Sequence, residues 1–265
     1  MKRNLIIGGY IVVAILILVS IPAVPKALIY SFEDARYALN PSAEAAYALG
    51  EKYFNQFQTD TYDIKRSREY YFEALELNPG HPTVLLQIAR TSFVIEDLDN
   101  ALLQIDLQIN KYGEAHPSAY YVRGLIYGFK KQYERAGADF ETYLKYRPSQ
   151  WFAYNDLAWT YINSSQFEKA LEAADTGLQI VPENAWLLIS KTTALYELKR
   201  YDEAYDAATK SIPAAEKVTP EQWIVMYPGN DPATVTQGIR DMIAAANANL
   251  VKVQEKRGEQ AESVE

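Results

Sequence analysis

The only two histidines in this chain, His81 and His116, each stand just before a proline, Pro82 and Pro117. A pair of imidazoles can ligate a metal or relay a proton, but zinc needs further ligands and acid–base work needs an orienting carboxylate. No such residue sits at a recognisable spacing from either. The two His-Pro steps lie 35 residues apart, which reads as one kind of helix start used twice. Ser164 and Ser165 lack the glycine-flanked elbow that exposes a nucleophile. Gly8 and Gly9 fall inside an apolar run, not in a phosphate-cradling loop. The sequence has no cysteine, which excludes disulfides, thiolate zinc sites and thiol nucleophiles. The Asn163-Ser164-Ser165 sequon reads more simply as a polar turn between helices. No catalytic residue, metal ligand or cofactor site is nominated, and an enzyme is not expected.

Composition narrows the partners. A net charge of -8 and a pI near 5.0 disfavour nucleic acid, whose phosphates need clustered Lys and Arg. Hydrophobic residues make up 49%, enough to bury a substantial core, and the 12 glycines and 12 prolines are too few for an all-β chain. A small-molecule substrate is not expected.

Near the start, Lys2 and Arg3 precede an uncharged run of 20 residues, Leu5 to Val24. As a helix such a run spans ~30 Å, the thickness of a bilayer's hydrocarbon core. A cleaved export signal has an apolar stretch of only ~7–15 residues, so a retained membrane anchor over residues 5–24 is the expectation. Basic residues before the run, against Lys26 and Arg36 diluted by Glu33 and Asp34 after it, lean toward an extracytoplasmic remainder.

The rest of the chain repeats itself. Ala101, Ala136, Ala170 and Ala204 recur with a bulky residue three places earlier: Leu98, Tyr133, Phe167 and Tyr201. Ala89, Gly124, Ala158 and Thr192 form a second small-residue series, and Pro79, Gly113, Pro148 and Pro182 a chain-breaking one. In every series the step is 34 or 35 residues. Each copy holds two apolar segments at helical spacing with a short polar turn between, as in Leu157 and Tyr161, then Phe167, Ala170, Leu171 and Leu178. Small residues let two helices approach closely, and neighbouring pairs must stack to complete a core.

This pattern resembles the tetratricopeptide repeat. The third copy reads Tyr120, Gly124, Tyr127, Ala136, Phe140 and Pro148; the fourth reads Tyr154, Leu157, Ala158, Tyr161, Ala170 and Pro182. The first copy carries about five extra residues near Phe57 to Asp63. The second closes on Gly113, and the fifth lacks the closing proline and has Lys191 where Leu is usual. The resemblance implies an all-α solenoid of about five helix-turn-helix repeats (43–81, 82–116, 117–150, 151–184 and 185–218). An anchor (1–28) and a juxtamembrane helix (29–42) precede it. A capping segment (219–256) and a polar tail without fixed structure (257–265) follow. Thr219-Pro220-Glu221-Gln222 reads as a capping box and Asp231-Pro232 as a helix start. Val235, Ile239, Met242, Ala246, Leu250 and Val253 make one apolar stripe.

In this family the first helices line a concave groove that holds protein segments. The positions here are Tyr47, Arg90, Tyr121, Phe129, Phe152, Asn155, Trp159, Trp186 and Tyr196. The implied partner is a protein or peptide, bound at the membrane in the assembly of an envelope complex. A non-catalytic subunit of an envelope enzyme or transport complex, or a cytosol-facing adaptor, stays open. The family's clamp for a terminal carboxylate is missing, since its positions carry Tyr47, Glu51, Ser118 and Val122. The groove's other candidate occupant is the chain's own Trp223–Tyr227 segment or its last helix.

Overall fold

The computed structural model describes residues 26–227 and 230–262. Among them the regular structure is helical, with no strand. Helix α1 (Lys26–Leu39) leads into five antiparallel pairs: α2 (Ala43–Tyr53) with α3 (Ile64–Leu77), α4 (Val84–Val94) with α5 (Leu98–Tyr112), α6 (Ser118–Phe129) with α7 (Tyr133–Tyr146), α8 (Trp151–Asn163) with α9 (Phe167–Ile180), and α10 (Ala185–Glu197) with α11 (Tyr201–Glu216). A short α12 (Pro220–Met226) and a long α13 (Val235–Glu262) complete the chain.

Within a pair, the helices meet at the small-residue series. An added Cβ on Gly124 would lie 2.7 Å from Phe140 Cε1, and one on Gly50 would lie 2.5 Å from Tyr71 Cε1. The turn inside each of pairs two to five is also repeated. Glu96, Lys131, Ser165 and Lys199 all adopt left-handed backbone with φ of 57–62°. The next residue's N–H then reaches back to close the helix, from Asp97, Gln132, Gln166 and Arg200 to the carbonyls of Ser92, Tyr127, Tyr161 and Leu195 at 2.8–3.0 Å. These are Schellman closures made without glycine. The first pair lacks one because the extra residues occupy that turn.

Pairs stack through apolar faces and through a repeated ion pair. Arg123 on α6 bonds Asp106 on α5 at 3.0 Å, and Lys191 on α10 bonds Asp175 on α9 at 2.6 Å. The two bridges occupy equivalent positions two repeats apart, which explains why a lysine replaces the usual leucine at 191. The first helices from α4 to α10 also touch one another in sequence, so they form the inner face.

Both ends are covered. Asp34 on α1 accepts from Tyr53 Oη (2.5 Å), Tyr70 Oη (2.7 Å) and Arg66 Nη2 (2.8 Å), fixing α1 on the first pair. Helix α13 lays Met242, Ala246 and Val253 on the fifth pair. Two sequence boundaries shift. Lys26–Leu28, expected in the anchor, already belong to α1. The tail expected to lack fixed structure from 257 onward is helical through Glu262. Arg257 holds it there, bonding Asp202 at 2.6 Å with its guanidinium over the Tyr205 ring. The expected span 5–24 lies outside the described residues, and among the described ones no helix is long and apolar enough to cross a membrane.

The small-to-large contact is testable. Gly124→Val should lower stability by about 1–3 kcal/mol through overpacking against the buried Phe140 ring. Gly258→Ala, where nothing lies within 4 Å of the new methyl, should be neutral or slightly stabilising. Urea unfolding followed by circular dichroism separates the two.

Candidate functional site: a half-covered inner face

The inner face divides lengthwise into a covered half and an open strip. Over the covered half lies the chain's own segment α12. Thr219 and Gln222 form the reciprocal capping box that starts it, with Pro220 at the first helical position. It carries Trp223, which packs 6.0 Å from the Trp186 ring, and it delivers Tyr227, whose hydroxyl accepts from Trp186 Nε1 at 3.0 Å. Trp151 continues the stack 5.8 Å beyond Trp186. Gly238 on α13 is required here, because a Cβ would fall 2.2 Å from the Trp223 ring. At its far side the segment is tied to the first pair, where Gln56 Nε2 donates to the Ile224 carbonyl at 2.7 Å. The segment is therefore a strap joining the fifth pair to the turn after α2.

Beneath the strap, the Tyr121 hydroxyl donates to Asp156 Oδ2 at 2.6 Å, and its ring packs against Phe140, Tyr143 and Phe152. Asn155 is buried and accepts from Ser190 Oγ at 3.0 Å. Asp156 has no cationic partner among the described residues. Burial pushes its carboxyl up to about 6, against the lowering effect of hydrogen bonds from Tyr121 and Asn155.

The open strip runs along the turn side. Phe93 meets Phe129 edge-on at 4.9 Å, and Phe129 is 63% exposed. Trp159, 40% exposed, rests against Gly128 and meets Tyr133 edge-on at 5.9 Å. At the strip's other end, Arg90 lies one helical turn before Phe93, its guanidinium 4.8 Å from the Phe54 ring centroid.

Residues 117–150 match the family model described as tetratricopeptide repeat. The solved structures agree in fold. A MamA structure from Desulfovibrio magneticus RS-1 superposes with a TM-score of 0.60 at 19% identity, covering 67% of this chain and 97% of its own. Another MamA structure gives 0.56 at 19% identity over 66% and 92%. YrrB, described as a TPR protein with an unusual peptide-binding site, gives 0.56 at 14% identity over 70% and 93%. No curated protein matches the sequence. The array is a tetratricopeptide-type solenoid.

Against this solenoid, the nine nominated residues separate. Phe129 and Trp159 lie on the open strip, with Arg90 at its end. Tyr121, Phe152, Asn155 and Trp186 lie in the covered half. Tyr47 is taken up between pairs one and two, stacked on His81 with its hydroxyl accepting from Thr83 Oγ1 at 3.1 Å. Tyr196 meets Tyr201 at a tilt, ring centroids 5.7 Å apart, within a cluster that includes Val253 of α13. His116 lies edge-on to Tyr112. Phe54 and Phe93 were not nominated, although a signal existed: both sit four residues after a member of the small-residue series (Gly50 and Ala89), as Tyr196 does after Thr192. No pattern in the sequence marks Asp156 apart from the other acids.

Asp156 gives a pH prediction. Its folded pKa stands above the unfolded value near 4, so its contribution favours folding below that value and is lost as pH rises through about 6. Asp156→Asn should therefore be more stable than wild type at pH 7.5, by on the order of 2–3 kcal/mol. At pH 4 the gap should close. Thermal melts at the two pH values decide it; an equal difference at both would remove Asp156 ionisation as the cause.

Proposed function

We propose that the protein is a non-catalytic scaffold that holds a segment of another protein on the open strip of its inner face. The observation that carries this reading is the strip itself: Phe129 and Trp159 are exposed large aromatics on neighbouring repeats, Phe129 meeting the half-buried Phe93 edge-on and Trp159 resting against Gly128, the residue before Phe129. Single exposed apolar residues are ordinary on protein surfaces, but a contiguous row on a concave face is the form that interaction sites take. The polar groups of the covered half face each other, not a common point where a substrate could react.

The scaffold works at a membrane in this reading, through residues 5–24, with the solenoid on the extracytoplasmic side. The support is the uncharged run and the basic residues before it. The network around Asp34 would then pass a fixed orientation from α1 to the solenoid, setting which way the strip faces. The family's general use in protein interaction, and the peptide-binding site named for YrrB, support a protein or peptide partner in the assembly of an envelope complex.

A photo-crosslinking amino acid at position 125, beside the strip, should trap a discrete partner in native membranes. The added substitutions Phe129→Ala and Trp159→Ala should abolish the product, because hot-spot aromatics each contribute ~2 kcal/mol or more. Trp186→Ala, which loosens the strap, should leave it in place. An unchanged product in the double variant, with helical content retained, would move the site off the strip.

A further inference from the structure

Between α1, α2 and the turn after α2 lies a cavity of about 870 Å³ that opens to solvent. Its charged wall residues are Arg36, Lys52 and Arg90 against Glu33 and Glu51, beside the Tyr37, Phe54 and Phe57 rings. Arg90 has one hydrogen-bond acceptor among the described residues, Gln87 Oε1 at 2.9 Å from Nη1. The nearby carboxylate of Glu51 is occupied otherwise, accepting from Tyr71 Oη at 2.6 Å and from Gln87 Nε2. Lys52 is paired with Glu33 at 2.8 Å. Arg90 thus presents Nε and Nη2 at the cavity wall without an acceptor from the described chain. It does so in a chain with 34 acidic and 26 basic residues, where a carboxylate partner is easily supplied. The guanidinium faces the Phe54 ring and feels the charge of Glu51, yet its Nε and Nη2 edges are left without an acceptor, and a further carboxylate would repay the hydration they lose on burial. Its planar fork suits two parallel bonds to such a group.

Resting on the scaffold reading, we infer that this cavity binds the side-chain carboxylate of an Asp or Glu within an extended segment of the partner protein. Arg90 provides the fork, and Phe93 and Phe129 receive an aromatic residue two positions away. The spacing follows from geometry. Arg90 and Phe93 are one helical turn apart, ~5–6 Å between Cβ atoms, and alternate residues of an extended chain are ~6.6 Å apart on one face. The recognised pattern is acid, any residue, aromatic. It is an internal side chain that is read, so no free chain end is required.

The test uses the full chain in detergent micelles and fluorescein-labelled peptides Phe-Ser-Glu-Ser-Phe and Phe-Ser-Gln-Ser-Phe, blocked at both ends. The symmetric order serves either chain direction. By fluorescence anisotropy, wild type should bind the Glu peptide at least tenfold more tightly than the Gln peptide, and the preference should shrink as salt is raised. Arg90→Gln should abolish the preference, whereas Arg90→Lys, which keeps charge and bulk but loses the fork, should keep part of it. Equal binding of the two peptides to wild type overturns the proposal and needs no variant that could misfold. So does a preference that survives in Arg90→Gln. If neither peptide binds while crosslinking at the strip still traps a partner, acid recognition fails and the scaffold reading stands. If both experiments come up empty, both fall.

Discussion

Everything in this fold depends on how closely the two helices of a pair approach. That approach is set at one contact in each pair, where the first helix always carries a small residue and carries glycine where its partner is an aromatic ring. Facing the small series Gly50, Ala89, Gly124, Ala158 and Thr192 stands a second series, Tyr71, Ile105, Phe140, Ala174 and Ala208, all of them buried. Glycine is used where the partner is an aromatic ring, alanine where it is isoleucine or alanine, and threonine where it is alanine. The helices of successive pairs can then keep a common frame although no pair has the same residues. A common frame in turn lets the left-handed turn residues recur at Glu96, Lys131, Ser165 and Lys199. Each costs a little as a non-glycine residue, and each is held by the same closing hydrogen bond.

A stack of such pairs has two exposed ends, and the way they are covered shapes the inner face. Helix α13 continues the stacking on the fifth pair, as another helix of the series would. Before it can do so the chain must travel from the end of α11 to the start of α13, and α12 is the route it takes. That route crosses the inner face, and its aromatic residues meet Trp186 and Trp151 there. Covering the end of the stack and covering half of the groove are therefore one structural event. Its electrostatic consequence is Asp156, a carboxylate enclosed with tyrosines and no cation, which is poorly solvated when ionised.

Much of the array was legible in the sequence because the rules that build it are local and repeated. A period of 34 or 35 residues gave helix pairs, and the capping box at Thr219 gave α12. The groove was harder to read. Choosing residues by position on the first helices found Phe129 and Trp159, but it also took in Trp186 and Phe152, which the strap covers. The covering contact joins Gln56 to Ile224, 168 residues apart, and no periodic signal describes a contact made once. Phe93 is marked by a weaker signal: it stands four residues after Ala89, as Tyr196 stands four after Thr192. The final turns of α13 escaped because polar composition alone does not reveal that Arg257 has Asp202 and Tyr205 to rest on.

The single departure from the period is where the distinct features gather. The extra residues of the first copy remove the closing turn found in every other pair, and the segment they enlarge carries Gln56 and Phe57. Gln56 receives the strap; Phe57 stands 59% exposed at the rim of the cavity that Arg90 lines. A regular repeat at this point would have ended α2 in the same tight turn as its neighbours, leaving no residue to reach Ile224 and no rim for the cavity. Sequences tend to break their own local rules where function requires it, and here the broken rule separates the covered half of the face from the open one. The strap's anchor and the cavity's rim share one loop: Gln56 bonds the Ile224 carbonyl, and Phe57 lines the cavity together with Arg90.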